Sequence, residues 1–262
     1  MTAPQITLDL PDQRFGHATL RICRPGSGNA LSRDAAEELS DAVDILAADP
    51  PAGVLLAAQG ERFFCAGGDL VDYRALTDSD STLTAFLRMQ DILGRPRALP
   101  CLVIGAVEGA AIGGGAELAL ACDLRVAGAR ATFALPQTRL GVVVGWGAGP
   151  WLVEAVGRGR AIELLTTGRT LGAEEAAAVR LVDVLVPAGQ AESAAAAMVA
   201  QARTASPTAV RAVKKVLDPA AAPEEVTRIF AGLWVGDDHR AAEDAWRNRA
   251  RATGTAAPSE RA

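Results

Sequence analysis

The sequence predicts an α/β core followed by an all-helical C-terminal region. Strand-like and helix-like segments alternate through the first part of the chain, which is typical of parallel strands with helices packed outside the sheet. From about Ala188 onward the alternation gives way to helical segments separated by Pro or Gly-Asp signals. Half of the 262 residues are hydrophobic and 22% are charged, which fits a globular protein with a sizeable core.

The first elements of the predicted core are a β-hairpin and a helix. Two stretches of alternating hydrophobicity, 6–10 and 18–22, flank a Pro/Asp/Gly turn region and predict paired strands. Ser32 is a candidate N-cap, and Asp34 lies in the first turn of the helix that follows. Apolar residues spaced three or four apart give this helix one buried face, made of Ala35, Leu39, Val43 and Leu46.

The alternation continues from residue 54 to residue 127. Strands are predicted over 54–58, 101–107 and 124–127. A helical stretch over 82–93 precedes the second of these strands, and a glycine-rich segment after it begins another helix. This order predicts parallel pairing of the strands.

The C-terminal part reads as helices over 191–205, 207–217, 224–235 and 238–251. We therefore predict a core over residues 1–187 and a helical region over 188–252. Residues 253–262 are small and polar, and we expect them to form a disordered tail.

Charge and histidine content exclude several classes of function. The formal net charge is −5 and no run of Lys or Arg forms a basic stripe, which argues against nucleic acid as the main partner. A phosphate-bearing ligand is not excluded, because backbone amides can hold it. The two histidines, His17 and His239, are far apart in sequence, so a histidine-rich metal site is not expected.

Cysteines and apolar segments predict a cytoplasmic protein. Four cysteines in apolar surroundings follow no metal-binding spacing and read as buried thiols in a reducing compartment: Cys23, Cys65, Cys101 and Cys122. The N-terminus shows no secretory signal pattern. The most apolar stretch, 101–121, is interrupted by Glu108 and Glu117, so no membrane span is predicted.

Two glycine-rich loops carry the candidate chemistry. The segments 63–70 and 108–119 each follow a predicted strand and lead into a probable helix N-terminus. Backbone N–H groups there lack intrahelical partners and can bind negative charge, while glycine lets a ligand approach the backbone. The alternative is that the glycines only allow tight packing of helix on strand. A dinucleotide or Walker motif is not matched by the spacing around Gly113 to Gly115.

Together the loops resemble the crotonase (enoyl-CoA hydratase/isomerase) family. The motif F-x-A-G-x-D-[IL] matches Phe64 to Leu70, and G-x-x-x-G-G-G-x-E-L matches Gly109 to Leu118. The family's early loop matches Arg24-Pro25 and Asn29-Ala30-Leu31, and a Cys-Asp pair matches residues 122–123. The resemblance implies a spiral of ββα units with a C-terminal trimerisation region. It also implies a homotrimer or dimer of trimers, an acyl thioester of coenzyme A or of an acyl carrier protein as substrate, and no prosthetic group.

The resemblance also implies roles for particular residues. The backbone N–H groups of Gly68 and Gly114 would form an oxyanion hole for a thioester enolate, and Glu117 would be the catalytic carboxyl. Taken without the motif, Glu117 is also consistent with a glutamate that merely lies in the first turn of a helix. The implied substrate-binding residues are Arg24, Ala30, Ala66, Asp69, Leu70, Gly113, Val142, Trp146, Trp246 and Arg249. Core packing is an alternative for Trp146, and a solvated face is an alternative for Trp246 and Arg249.

One departure from the family pattern bears on the reaction. The family's second glutamate corresponds to Gln137, which can donate and accept hydrogen bonds but cannot exchange a proton at neutral pH. Family members that keep only the first glutamate include decarboxylases of alkylmalonyl-CoA, and the stretch from Gly141 to Gly147 resembles ethylmalonyl-CoA decarboxylase. The resemblance therefore favours decarboxylation of an alkylmalonyl-CoA-type substrate by one glutamate. The alternatives are an enoyl-CoA hydratase or isomerase that uses Glu117 with Gln137, and an acyl-thioester binding module with little activity.

Overall fold

The structure is a computed structural model that describes residues 3–10 and 16–252. The chain divides into two compact units, Met1–Ala200 and Gln201–Ala262. The strands are β1 Ile6–Asp9, β2 Ala18–Ile22, β3 Gly53–Ala58, β4 Phe63–Cys65, β5 Leu102–Val107, β6 Ala110–Ile112, β7 Leu124–Gly128, β8 Thr132–Ala134, β9 Thr170–Gly172 and β10 Val184–Val186. The helices are α1 Arg33–Ala48, α2 Leu70–Tyr73, α3 Ser79–Ala98, α4 Gly114–Leu120, α5 Gly149–Val156, α6 Arg158–Thr167, α7 Ala173–Ala178, α8 Ala191–Ala202, α9 Pro207–Val216, α10 Pro223–Trp234 and α11 Asp237–Ala252.

The larger sheet contains six strands in the order β1-β2-β3-β5-β7-β10. β1 and β2 pair antiparallel, which confirms the predicted hairpin. β2 pairs parallel with β3, β3 with β5, β5 with β7 and β7 with β10. The predicted parallel pairing of the long apolar strands is therefore confirmed.

A second sheet of four strands, in the order β4-β6-β8-β9, lies where the glycine-rich loops begin. β4, β6 and β8 pair parallel, and β9 pairs antiparallel with β8. Because β4 and β6 are neighbours, the loops that follow them emerge side by side. This sheet was not predicted, since strands of three residues are too short to show a period.

Helix α1 shows why the predicted elements form. Its predicted apolar face is buried in the core, and the side chain of Ser32 accepts a hydrogen bond of 3.1 Å from the backbone N–H of Ala35. This bond satisfies one of the N–H groups that a helix start leaves without a partner.

Removing the Ser32 cap is expected to destabilise the protein. We expect Ser32→Ala to lower the free energy of unfolding by about 1 kcal/mol, measured by urea denaturation, because the Ala35 N–H loses its acceptor. Ser32→Asp keeps a capping oxygen and is the control. Equal stability of Ser32→Ala and the unchanged protein would contradict this account of the helix start.

The first unit extends beyond the predicted end of the core at residue 187. α8 lies on the larger sheet and buries Ala191, Ala195 and Val199 against a cluster that includes Leu55 and Ile104. Gly53 allows this close approach, because a Cβ at that position would stand 2.6 Å from a methyl carbon of Val199. The helix therefore belongs to the compact unit that ends at Ala200.

The second unit contains the helices α9 to α11, which agree with the predicted segments to within a few residues. Within it, the rings of Phe230 and Trp234 lie 5.6 Å apart, and those of Trp234 and His239 lie 4.5 Å apart. The predicted tail, 253–262, lies outside the described residues. The trimeric or hexameric assembly implied by the resemblance stays a prediction.

Residues 3–10 and 16–252 contain no membrane-spanning helix, no disulfide and no metal-binding cluster. No helix in these ranges is long and apolar enough to cross a membrane. Cys65, Cys101 and Cys122 are buried and Cys23 is half-buried, and no disulfide is present in the same ranges. Nor does any group of three or more His, Cys, Asp or Glu side chains there have the geometry to hold a metal ion.

Candidate active site

The two glycine-rich loops meet at the ends of β4 and β6. Gly67 has a φ of +102°, a conformation that glycine adopts readily, and a Cβ there would stand 3.2 Å from the backbone nitrogen of Gly114. A Cβ on Gly115 would stand 1.9 Å from the carbonyl oxygen of Cys65. Only glycines allow the start of α4 to approach the first loop this closely.

Two backbone N–H groups at this junction lack a protein acceptor. Among the hydrogen bonds of the described residues, neither Gly68 nor Gly114 donates its amide hydrogen to a protein group. Gly114 is the first residue of α4, so its N–H has no carbonyl one turn before it within the helix. The arrangement suits an anionic oxygen that would accept from both donors.

The indole ring of Trp146 covers both glycines. A Cβ on Gly114 would stand 2.3 Å from Trp146 Cζ3, and a Cβ on Gly68 would stand 3.3 Å from Trp146 Cζ2. Trp146 is only 4% exposed, so its ring is part of the core as well as a wall of the site. Both uses that the sequence suggested for this residue, core packing and lining of the site, are compatible with its position.

Glu117 lies one turn into α4 and is only 2% exposed. Its Oε2 accepts hydrogen bonds from the backbone N–H groups of Trp146 at 2.9 Å and Ala148 at 3.4 Å. Its Oε1 accepts from the backbone N–H of Gly145 at 3.4 Å and from Gln137 Nε2 at 3.1 Å. Glu117 is therefore not a solvated glutamate of a helix start, since its carboxyl is buried and held by four donors.

Burial determines the acidity of Glu117. Loss of solvation penalises the charged form and raises the pKa of this carboxyl above its ordinary value of 4.5. The four hydrogen bonds act in the opposite direction, because each favours the carboxylate, but they offset only part of the effect of burial. A raised pKa of this kind suits a carboxyl that must both accept and return a proton near neutral pH.

Gln137 lies beside Glu117, as its alignment with the family's second glutamate implied. Its Nε2 faces the carboxylate, and its Oε1 is buried without a hydrogen-bond partner within the described part of the chain. A buried acceptor without a partner is rare, because such a group is normally paired with protein or water. The pair Glu117–Gln137 therefore has one acceptor available for a bound hydrogen-bond donor.

A second group of the predicted residues holds the first loop in place. Arg24 Nη2 donates to Asp69 Oδ2 at 2.8 Å, and Arg24 also donates to the carbonyl oxygen of Ala30. Asp69 Oδ1 accepts from the N–H of Val71 at 3.1 Å and so caps α2. The hydrogen bond from Arg24 is the largest cause that lowers the pKa of Asp69. These contacts hold the residues that follow Gly68 in place.

Four further predicted residues have different environments. The N–H of Ala66 donates to the carbonyl oxygen of Gly28 at 3.0 Å, and that of Gly113 donates to Ala134 at 2.8 Å. Leu70 is 67% exposed and Val142 is 57% exposed. The first pair shapes the loops, and the second pair presents apolar surface to solvent.

Trp246 and Arg249 lie in α11 of the second unit. Trp246 is 46% exposed. Their contact with coenzyme A across a subunit interface stays a prediction.

No motif in the sequence marks Tyr73 or Phe86, which lie beside Gly68 and Gly145. A Cβ on Gly68 would stand 3.1 Å from Tyr73 Cε2, and the rings of Tyr73 and Phe86 lie 5.6 Å apart. Phe86 in turn would be 3.0 Å from a Cβ on Gly145. One signal was available for Tyr73: it is the chain's single tyrosine and lies four residues after Asp69, one helical turn into α2.

A family model for enoyl-CoA hydratase/isomerase matches residues 14–234 of this sequence. A protein of Mycobacterium leprae (strain TN) that is named as a probable enoyl-CoA hydratase is 34% identical over 234 residues, 86% of this chain and 88% of that protein. The mitochondrial methylglutaconyl-CoA hydratase of Mus musculus is 35% identical over 187 residues, which is 71% of this chain and 59% of that protein.

Solved structures have the same fold. The crystal structure of an enoyl-CoA hydratase from Bacillus anthracis superimposes with a TM-score of 0.86 at 29% sequence identity, covering 94% of this chain and 96% of that one. The α/β class predicted from the alternation of strands and helices is confirmed by this likeness, and the resemblance to the crotonase family is confirmed by the family model. The relatives reported above are named as hydratases rather than decarboxylases, so they favour the hydratase or isomerase alternative.

Proposed function

The chain belongs to the enoyl-CoA hydratase/isomerase family, and from this membership we propose that it adds water to the double bond of an enoyl-CoA thioester. The observation that carries the proposal is the unpartnered, buried Oε1 of Gln137 next to the buried carboxyl of Glu117. A water molecule is a donor that fits both groups. It would donate one hydrogen bond to the Gln137 oxygen and the other to Glu117.

The proposed reaction begins with attack by this water. Glu117 accepts a proton from the water as the water oxygen forms a bond to the β-carbon of the thioester. The electron pair of the double bond shifts to the bond between the α-carbon and the carbonyl carbon, and the π pair of the carbonyl moves onto the thioester oxygen, which forms an enolate. The N–H groups of Gly68 and Gly114, which have no protein acceptor among the described residues, would stabilise that charge by donating to the oxygen.

Return of the proton completes the addition. The protonated Glu117 transfers its proton to the α-carbon as the enolate collapses, so hydroxide and proton have both come from one water. Burial raises the pKa of Glu117, which makes the protonated carboxyl easier to form during the reaction. Gln137 exchanges no proton in this scheme, since its amide is neutral throughout.

Product analysis tests this assignment directly. We would incubate the purified protein separately with crotonyl-CoA, a β,γ-enoyl-CoA and ethylmalonyl-CoA, and follow each thioester by mass spectrometry. Gain of one water by crotonyl-CoA supports the proposal. Migration of the double bond without gain of water would establish an isomerase, loss of CO₂ from ethylmalonyl-CoA a decarboxylase, and no change in any thioester a binding protein.

The pH dependence of hydration provides a further prediction. Glu117 must be ionised to accept the water proton, so kcat/KM is expected to fall as the pH decreases through the pKa of this carboxyl. Because burial raises that pKa, the fall should begin at a pH above the ordinary range of glutamate. The measurement is kcat/KM for crotonyl-CoA across the acid range.

A second carboxyl at position 137 should shift the pH at which kcat/KM falls on the acid side of the profile, which we call the acid limb. In Gln137→Glu two carboxyl groups would share a site where the present side chains approach to 3.1 Å, and like charges that close do not both ionise readily. We expect the acid limb of Gln137→Glu to lie at higher pH than that of the unchanged protein. Identical pH profiles would argue against proton transfer by Glu117 beside residue 137.

A further inference from the structure

Tyr73 has a buried hydroxyl group that lacks a hydrogen-bond partner in the described part of the chain. Tyrosine hydroxyls that are buried usually find a partner, because an unpaired polar group loses its contacts with water and gains none. Among the described residues, Tyr73 Oη and Gln137 Oε1 are the two buried side-chain oxygen or nitrogen atoms that lack a hydrogen-bond partner. The reaction proposed above does not use the hydroxyl of Tyr73.

The position of Tyr73 places this hydroxyl next to the proposed oxyanion hole. The ring edge would lie 3.1 and 3.2 Å from a Cβ on Gly68, on the same side of the loop as the indole of Trp146. The N–H of Tyr73 donates to the carbonyl oxygen of Asp69 at 2.9 Å, so the side chain projects from the turn that Asp69 caps. An acyl group whose thioester oxygen is bound at Gly68 would extend close to this ring.

The ring of Tyr73 packs near another aromatic ring. The ring of Phe86 lies 5.6 Å from that of Tyr73, and Phe86 also lies against Gly145. The charged groups near Tyr73 are already engaged: Asp72 binds Arg33 at 2.8 Å, and Asp69 binds Arg24 at 2.8 Å. A charged substrate group would lose its solvation here without gaining a counter-ion, whereas an uncharged oxygen would need only a donor.

Tyr73 remains a donor over the working pH range. Burial is the largest cause that raises the pKa of its hydroxyl to about 12, so the group stays protonated at neutral pH. An uncharged hydroxyl of this kind donates one hydrogen bond to an acceptor and adds no charge.

We propose that Tyr73 Oη binds an uncharged oxygen on the acyl group, so that the enzyme prefers oxygen-bearing acyl-CoA thioesters to hydrocarbon ones of equal length. The inference rests on the proposed function, because it takes the thioester to be bound with its carbonyl oxygen at Gly68 and Gly114. It assigns a role in substrate selection to Tyr73 and none in proton transfer.

Binding of saturated thioesters tests this role without requiring catalysis. Plain acyl-CoA thioesters from butanoyl to octanoyl would be compared with their ω-hydroxy counterparts by calorimetry, since none of them can be hydrated. At the length where the hydroxyl reaches Tyr73, we expect the ω-hydroxy thioester to bind more tightly. In Tyr73→Phe, which keeps the ring and removes the oxygen, that preference should fall by about tenfold.

The control is Phe86→Leu, which alters the neighbouring ring and keeps the Tyr73 hydroxyl. We expect it to weaken both members of a pair alike. Absence of any preference in the unchanged protein, or an equal preference in Tyr73→Phe, would overturn the proposal. Preference for ω-carboxy over ω-hydroxy thioesters would overturn the assignment to an uncharged oxygen.

The binding result is independent of the reaction assignment. If crotonyl-CoA gains no water while the ω-hydroxy preference is present and is lost in Tyr73→Phe, the hydratase proposal fails and the role of Tyr73 stands. If crotonyl-CoA is hydrated and the preference is absent, the hydratase proposal stands and the role of Tyr73 fails.

Discussion

Replacing Glu117 with glutamine is expected to lower kcat for hydration of crotonyl-CoA by about 10²–10⁴-fold. The substitution preserves the size of the side chain and removes its ability to accept and return a proton. In the unchanged protein this carboxyl accepts four hydrogen bonds and is almost fully buried, so no solvent group can replace it. Steady-state kinetics measures the effect, and a kcat within threefold of the original would contradict the assignment.

The effect on catalysis must be separated from an effect on folding. Each oxygen of Glu117 accepts two hydrogen bonds. In Glu117→Gln the amide nitrogen would replace one of these oxygens, and its two hydrogens would point at two of the groups that donate to Glu117. Glu108→Gln is the matched control, because the Glu108 carboxylate accepts from the N–H groups of Gly189 at 2.8 Å and Ala191 at 2.6 Å, away from the proposed chemistry. We expect both variants to lower the thermal midpoint, and only Glu117→Gln to lower kcat strongly.

The second large effect is expected from Gly114→Ala. The added Cβ would stand 2.3 Å from Trp146 Cζ3, a distance that no real contact allows, so the ring or the start of α4 must shift. A shift of the start of α4 moves the Gly114 N–H away from the enolate oxygen, and a shift of the ring alters the wall of the site beside it. Loss of one oxyanion-hole donor typically lowers kcat by about 10²–10³-fold, and we expect a loss of that order for crotonyl-CoA.

Two other glycines make this test specific. Gly94 lies within α3 and an added Cβ there would contact nothing within 4 Å, so Gly94→Ala should preserve kcat and slightly stabilise the helix. Gly68→Ala would place a Cβ 3.1 Å from Tyr73 and 3.3 Å from Trp146, so its effect should lie between the other two. The same kcat for Gly114→Ala and Gly94→Ala would exclude the oxyanion-hole role of Gly114.

The elements predicted correctly are those in which many residues repeat one pattern. The apolar face of α1 and the runs in β3, β5 and β7 are long enough for periodicity to be read, and the structure contains all of them. β4, β6, β8 and β9 have three residues each, which is fewer than the four to eight over which strand alternation can be recognised. The packing of α8 on the larger sheet could not be predicted, because its alanines give little sign of what they pack against.

The candidate site could be predicted in part for a similar reason. Residues inside the two glycine motifs were identified, since the resemblance assigns them by position, and the structure brings Gly68, Gly114 and Glu117 together. The backbone donors of Gly145, Trp146 and Ala148 to Glu117 depend on loop geometry, which side-chain identity does not encode. The unpaired hydroxyl of Tyr73 is a property of its surroundings, so only the folded chain reveals it.

The hydrogen bonds that hold Glu117 also bear on how new substrate preferences can evolve. Three of its four donors are backbone amides of the segment from Gly145 to Ala148, and a side-chain mutation does not delete a backbone amide unless it introduces proline. The same segment contributes the Trp146 ring to the wall of the site. Mutations at position 146 can therefore reshape the space for the acyl group while the proton-transfer group keeps its anchors, which gives the fold a route to new specificities that preserves its chemistry.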